Sequence, residues 1–239
     1  MRTLGLTAAE EMESSLRKIG CRRGLTRHQQ TRMANRRPVI HTIAQKQTTL
    51  RGFLTQMTDT TDSAIVVRDE RPDDADPVQQ LLEHAFGRKA EGHLVARLRR
   101  LDVAPISLVA VHCPTENLVE PDRVVGHIMF SPVTINNVAP PLPTLGLAPV
   151  AVVPQWQHQG IGSTLIENGL ARCRRQGVGV VVVLGHHDYY PRFGFRPAHV
   201  KGLTCEYKSP PENFMVIELR PGSLNVCSGL VRYHPTFAD

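Results

Sequence analysis

Apolar positions beyond residue 60 follow two rhythms. They recur every three or four residues at Val78, Leu81, Leu82, Ala85 and Phe86, again at Leu94, Val95, Leu98 and Leu101, and again at Ile161, Leu165, Ile166, Leu170 and Cys173. That spacing collects side chains on one face of an α-helix. Pro72, Asp73, Asp74 and Asp76 mark the start of the first helix, where carboxylates suit the positive end of the helix dipole, and Gly177 ends the third. Shorter β-prone runs cover 64–68, 106–112, 124–133 and 145–153, with a turn pair at Asn136-Asn137. The run from Val178 to Leu184 is apolar throughout, as expected of a central strand covered on both faces. Two more strands are expected at 203–207 and 215–219, with a further helix before them. The predicted order is β-α-α-β-β-β-α-β-α-β-β, a mixed α+β domain with no internal repeat.

The first quarter of the chain shows neither rhythm. Residues 1–62 hold eleven of the 28 Lys and Arg but five of the 22 acidic residues, so the whole excess of +6 lies there. The segment is rich in Arg, Gln and Thr, and its apolar residues are too scattered to bury a core, so disorder or partial helix is expected. The domain is therefore assigned to 63–239. Met57 lies just before the first predicted strand, and translation from it would leave residues 1–56 outside the protein. Glu10, Glu11 and Glu13 argue against a transit peptide.

No stretch reaches the roughly 20 apolar residues that span a membrane. Cys21, Cys113, Cys173, Cys205 and Cys227 form no Cys-x-x-Cys pair, which points to reduced thiols and a cytoplasmic setting.

The chemistry concentrates between Leu145 and Ser163. A β-prone run ends at Pro154, a polar turn follows, and Gly160 and Gly162 open the third helix. Strand, glycine turn and helix start present free backbone N–H groups at a positive dipole end, a ready site for phosphate. A P-loop needs a lysine after its second glycine, and none occurs between Lys89 and Lys201. A dinucleotide fingerprint needs a third small residue where Leu165 stands. A plain turn would use the glycines only to relieve crowding. The remaining pattern is Gln/Arg-x-x-Gly-x-Gly/Ala, which Gln157-His158-Gln159-Gly160-Ile161-Gly162 matches position by position.

That loop resembles the pyrophosphate loop of the GNAT superfamily of acyl-CoA-dependent N-acetyltransferases. Further blocks resemble a bacterial subgroup of predicted N-acetyltransferases. They are Ala85-Phe86-Gly87, Gly126-His127-Ile128-Met129-Phe130-Ser131-Pro132-Val133, the stretch from Gly185 to Phe195 with its Tyr-Tyr-Pro-Arg-Phe-Gly-Phe, and the segments 214–222 and 231–237. The resemblance runs from about Ala64 to the end of the chain. Two features depart from it: Gln157 stands where Arg is commoner, and the basic extension has no counterpart.

The resemblance implies a GNAT fold, with a central mixed sheet flanked by helices and splayed at an acetyl-CoA site. It also implies acetyl transfer from acetyl-CoA to a primary amine of a small molecule, peptide or protein. Backbone N–H groups of His158, Gln159, Gly160, Ile161, Gly162 and Ser163 would hold the pyrophosphate. Val150, Ala151 and Val152 would pair with the pantetheine arm and offer an oxyanion donor. Tyr190, four residues before Gly194-Phe195, would protonate the departing thiolate; a phenol with a pKa of about 10 is a donor at neutral pH. Tyr189 is assigned to packing. The general base is open among Glu91, His127, His186 and His187. No metal is expected, because adjacent histidines such as His186 and His187 diverge on an extended chain. No Gly-x-Ser-x-Gly elbow suggests a hydrolase.

Two other readings stand beside this one: a catalytically silent domain that binds acyl-CoA, and a nucleic-acid-associated protein working through its basic arm. Because the extension holds the excess charge and little apolar surface, a chain beginning at Met57 is expected to keep the melting temperature and acetyl-CoA affinity of the full chain. Thermal unfolding and calorimetry check this, and a large loss of stability would show that the extension packs on the domain.

Overall fold

A computed structural model describes residues 64–114, 121–136, 138 and 142–238. The basic extension, Met57 and Asn137 of the expected turn pair lie outside them.

The described residues form three α-helices, at the places the apolar spacing predicts. Helix α1 (Ala75–Phe86) buries Val78, Leu81, Leu82 and Phe86 and stops at Gly87, whose φ of 69° closes the last turn. Its entrance is fixed by Asp74, which accepts hydrogen bonds from the Arg68 guanidinium (2.6 and 2.9 Å) and the Arg71 N–H (2.6 Å). Helix α2 (Ala90–Arg100) buries Val95 and Leu98. Helix α3 (Ile161–Arg175) buries Ile161, Leu165, Ile166, Leu170 and Cys173. None of these helices is long and apolar enough to cross a membrane.

The main sheet runs in the order β1 (Ala64–Asp69), β2 (Ile106–Cys113), β3 (Arg123–Ile135), β4 (Thr144–Val152), β5 (Val180–Leu184), β8 (Phe214–Glu218) and β6 (Arg196–Pro197). Neighbours are antiparallel except β4 and β5, which are parallel and pair only at Thr144↔Val180, Leu145↔Val181 and Gly146↔Val182. Strand β9 (Gly229–Tyr233) pairs with the far end of β3, and β7 (Leu203–Cys205) pairs with β9. Helix α3 covers one face over Leu108, Ile128, Phe130, Val181 and Val183. Helices α1 and α2 cover part of the other over Val109, Val111, Met129 and Ala151. The rest of that second face packs Val180, Val182 and Val216 against β7 and β9.

Three details differ from the sequence reading. Strands β6 and β9 were not anticipated: β6 has two residues, and β9 places Arg232 between Val231 and Tyr233. The valine run enters the sheet at Val180, after Gly179 donates to the Pro143 carbonyl. The helix expected after β5 is replaced by short 3₁₀ turns at Tyr190–Phe193 and Ala198–Lys201. Pro191 has no N–H to donate, and Gly194 (φ 94°) and Gly202 (φ 69°) turn the chain out of helical geometry.

Helix α3 packs on β3 through a contact that has glycine on both sides. A Cβ on Gly169 would lie 2.4 Å from the Phe130 ring, and one on Gly126 would lie 2.9 Å from Leu165. Gly169→Ala is therefore expected to destabilise the domain by about 1–3 kcal/mol through overpacking, against a helix-propensity gain of about 1 kcal/mol. Urea unfolding should show a smaller loss when the same change is made on a Phe130→Leu background. An equal loss on both backgrounds would rule out the ring contact as the cause.

Candidate functional site

After Gly146 and Val182 the parallel ladder stops, yet β4 continues to Val152 and β5 to Leu184. Among the described residues, the β5-facing edge of β4 there has no strand partner. The chain leaves β4 through a 3₁₀ turn (Pro154–Trp156), passes His158 at φ 63° and Gly160 at φ 84°, and enters α3. The Gln157 side-chain amide donates to the Val152 carbonyl at 3.0 Å, tying the turn back to the strand end. No side chain caps α3 and no acid stands in its first turn, so the N–H groups of Ile161, Gly162 and Ser163 have neither an intrahelical partner nor a side-chain acceptor at the cap.

A cavity of about 420 Å³ opens between these parts. Ala85 and Phe86 line it from the end of α1, Val150, Ala151 and Val152 from β4, and Trp156, Gln157 and His158 from the turn. Gly160, Ile161, Gly162 and Ser163 supply the helix end, and Tyr189 and Arg192 close the side after β5. None of these residues is acidic. The helix end suits an anionic group. The unpaired edge of β4 suits an extended, amide-bearing arm that adds to the sheet as a strand would.

Eight of the nine expected binding residues line this cavity. Gln159 does not: its side chain is exposed and donates to the Gln155 carbonyl at 3.2 Å. The pattern reading missed Ala85, Phe86, Trp156, Tyr189 and Arg192 as wall residues. Trp156, the chain's one tryptophan, sits beside the glycine loop with its ring 4.6 Å from that of His112.

The structure places Tyr189, and not Tyr190, on the cavity wall. Tyr190 is 2% exposed and absent from the cavity wall, with its ring edge-on to Phe195 and filling the space left by Gly185. Burial pushes its phenol well above the ordinary tyrosine range. Tyr189 is half-buried and lines the cavity, its hydroxyl 3.2 Å from where a Cβ on Gly162 would stand. Arg192 donates from Nε to the Tyr189 carbonyl (2.9 Å) and lays its guanidinium 4.6 Å above the Tyr189 ring.

None of the four base candidates lines the cavity. Glu91 is buried and held by Arg88 Nε at 3.0 and 3.1 Å. His127 is fully buried, with Nε2 3.0 Å from Ser107 Oγ and Nδ1 without a partner. His186 is half-buried; burial and the neighbouring His187 lower its pKa against an opposing pull from Asp188, and its Nε2 has no partner. His187 is exposed and turns to Asn213 (3.2 Å) and Asp188 (3.1 Å). Among the described residues no three His, Cys, Asp or Glu converge as metal ligands would.

Comparison with known proteins gives consistent matches. Residues 66–198 match the family model described as an acetyltransferase (GNAT) domain. The chain is 34% identical over 173 residues to the uncharacterized N-acetyltransferase YhbS of Escherichia coli K12, covering 72% of this chain and 98% of that protein. The crystal structure of E. coli YhbS in complex with CoA superposes with a TM-score of 0.65 over 72% of this chain and 91% of that one. A GNAT family acetyltransferase from Brucella melitensis, solved with acetyl-CoA, is also 34% identical and gives a TM-score of 0.56 over 73% and 98%.

The His127 environment yields a test of its own. Its neighbour Glu70 accepts hydrogen bonds from Ser107 and Arg99 and lies 3.6 Å from His127 Nε2. Burial pushes the Glu70 carboxyl up, but hydrogen bonds from His127 and Ser107 and the charges of His127 and Arg99 outweigh it and hold the pKa below the usual range. A depressed carboxyl stabilises the fold above the ordinary carboxylate pKa of about 4.3 and loses that contribution as pH falls through its lower folded value. Glu70→Gln should therefore cost about 1–3 kcal/mol at pH 7, with the gap to the parent closing below about pH 4 in denaturant titrations. A gap independent of pH would refute a charged role for Glu70.

Proposed function

Because the chain belongs to the GNAT acetyltransferase family, we propose that it transfers an acetyl group from acetyl-CoA to a primary amine by direct attack in a ternary complex. The observation that carries this reading is the continuity of the cavity, which joins the uncapped N-terminus of α3 to the unpaired edge of β4. On this reading the N–H groups of Ile161, Gly162 and Ser163 hold the pyrophosphate. The pantetheine amides pair with β4 at Val150, Ala151 and Val152, and a backbone N–H of this stretch faces the thioester oxygen.

The amine attacks as its free base. The C–N bond forms, negative charge gathers on the carbonyl oxygen, and the C–S bond breaks. The leaving thiolate takes the proton of a phenol, and the proton released by nitrogen restores that phenol through water. We assign the phenol to Tyr189, since it lines the cavity whereas Tyr190 is enclosed in the core. The catalytic unit is residues 63–239, preceded by a basic extension. The cytoplasm is the proposed setting, consistent with unpaired Cys113, Cys173, Cys205 and Cys227.

Thiol release from acetyl-CoA across a panel of small amines, amino-acid derivatives and peptides tests the activity. With an accepted amine, Tyr189→Phe should lower kcat by roughly a hundredfold with acetyl-CoA affinity unchanged, as loss of a general acid does. Tyr190→Phe should stay within a few-fold of the parent. The reverse pattern would return the role to Tyr190, and CoA binding without thiol release for any amine would favour the silent binding domain.

A further inference from the structure

The glycine loop supplies N–H groups but little fixed charge. Gln157 stands where the resembling family more often has arginine, and its amide is turned onto the Val152 carbonyl. Gln159 is spent on Gln155. The cavity wall contains no lysine, no carboxylate and a single arginine, Arg192, which comes from the segment after β5. A pyrophosphate carries two negative charges, and a helix end is equivalent to only about half a positive charge. A side-chain cation on the cavity wall would supply part of the balance.

Arg192 is built for that task. Its Nε is committed to the Tyr189 carbonyl at 2.9 Å and its plane is stacked on the Tyr189 ring, which fixes the guanidinium beside the cavity. The two η nitrogens have no hydrogen-bond or acidic partner among the described residues. Tyr189 in turn abuts Gly162 in the first turn of α3, so the guanidinium stack and the helix end flank one space. A planar fork with two free donors matches adjacent phosphate oxygens better than an ammonium does.

We infer that Arg192 is the side-chain cation that binds the pyrophosphate of acetyl-CoA, replacing the charge that Gln157 does not bring. The inference rests on the proposed acetyl-CoA reading and adds a residue to it. Arg192 is exposed, so its replacement should leave the melting temperature unchanged.

Trp156 lines the same cavity and is the chain's only tryptophan, so its fluorescence reports binding directly. In such titrations, Arg192→Gln should raise the Kd for acetyl-CoA and for dephospho-CoA by a similar factor of about ten or more and flatten its dependence on salt. Arg192→Lys should recover part of the loss. Affinity for acetyl-pantetheine, which lacks the pyrophosphate, should not change. An unchanged Kd for acetyl-CoA in Arg192→Gln overturns the inference while leaving the acetyl-CoA reading intact. A loss confined to acetyl-CoA and absent for dephospho-CoA also overturns it, placing Arg192 on the 3′-phosphate instead. Failure of the parent protein to bind acetyl-CoA defeats both.

Discussion

The short parallel ladder between β4 and β5 governs the rest of this molecule. Three register pairs hold the strands together, and beyond Gly146 and Val182 they separate. Backbone N–H and C=O groups rarely remain unpaired away from water, so an unpartnered strand edge inside a domain is a place where a ligand can complete the sheet. Everything around the cavity is arranged against that edge. Helix α3 is drawn close to β3 through the glycine contacts at Gly126 and Gly169, which sets its N-terminus beside the end of β4. The end of α1 closes one side with Ala85 and Phe86, and the chain after β5 closes another with Tyr189 and Arg192.

Fold stability and ligand chemistry occupy separate regions of the same sheet. Glu70, Ser107, His127 and Arg99 form a partly buried polar group that ties the end of β1 to β2, β3 and α2. Glu91 is likewise neutralised by Arg88 within a few residues of its own helix start. These groups have the chemistry of acids and bases, but their charges are spent on one another, and none reaches the cavity wall. The cavity itself is lined by hydrocarbon, backbone N–H, the side chains of Trp156, Gln157, His158 and Ser163, one phenol and one guanidinium. In a site without carboxylates, an anionic ligand meets no like charge to repel it.

The helical periods, the strand runs, the glycine loop and the position of the cavity beside it were legible along the chain. The reason is physical: a 3.6-residue period, a buried apolar strand and a loop needing φ above zero at Gly160 are local properties of consecutive residues. The eight expected residues on the loop and β4 that line the cavity followed from the same locality. The short strands β6 and β9 were not legible, because two residues or one interrupted run carry no period of their own. Strand β9 exists through its partners, β3 and β7.

Which of two adjacent tyrosines faces the cavity depended on packing at long range. Tyr189 and Tyr190 meet in a 3₁₀ turn rather than in a helix or strand, so no period assigns their directions. Tyr190 turns inward because Gly185 and Phe195 leave a ring-sized space, and Tyr189 is left on the cavity. Arg192 joins the site for the same reason, since its place is set by a stack on Tyr189 and by the approach of that ring to Gly162. His127 was withdrawn from the site by burial against Ser107 and Glu70, partners that lie on other strands. Local sequence specifies what a segment will form, whereas the direction of a side chain in an irregular turn is settled by neighbours that only folding brings near.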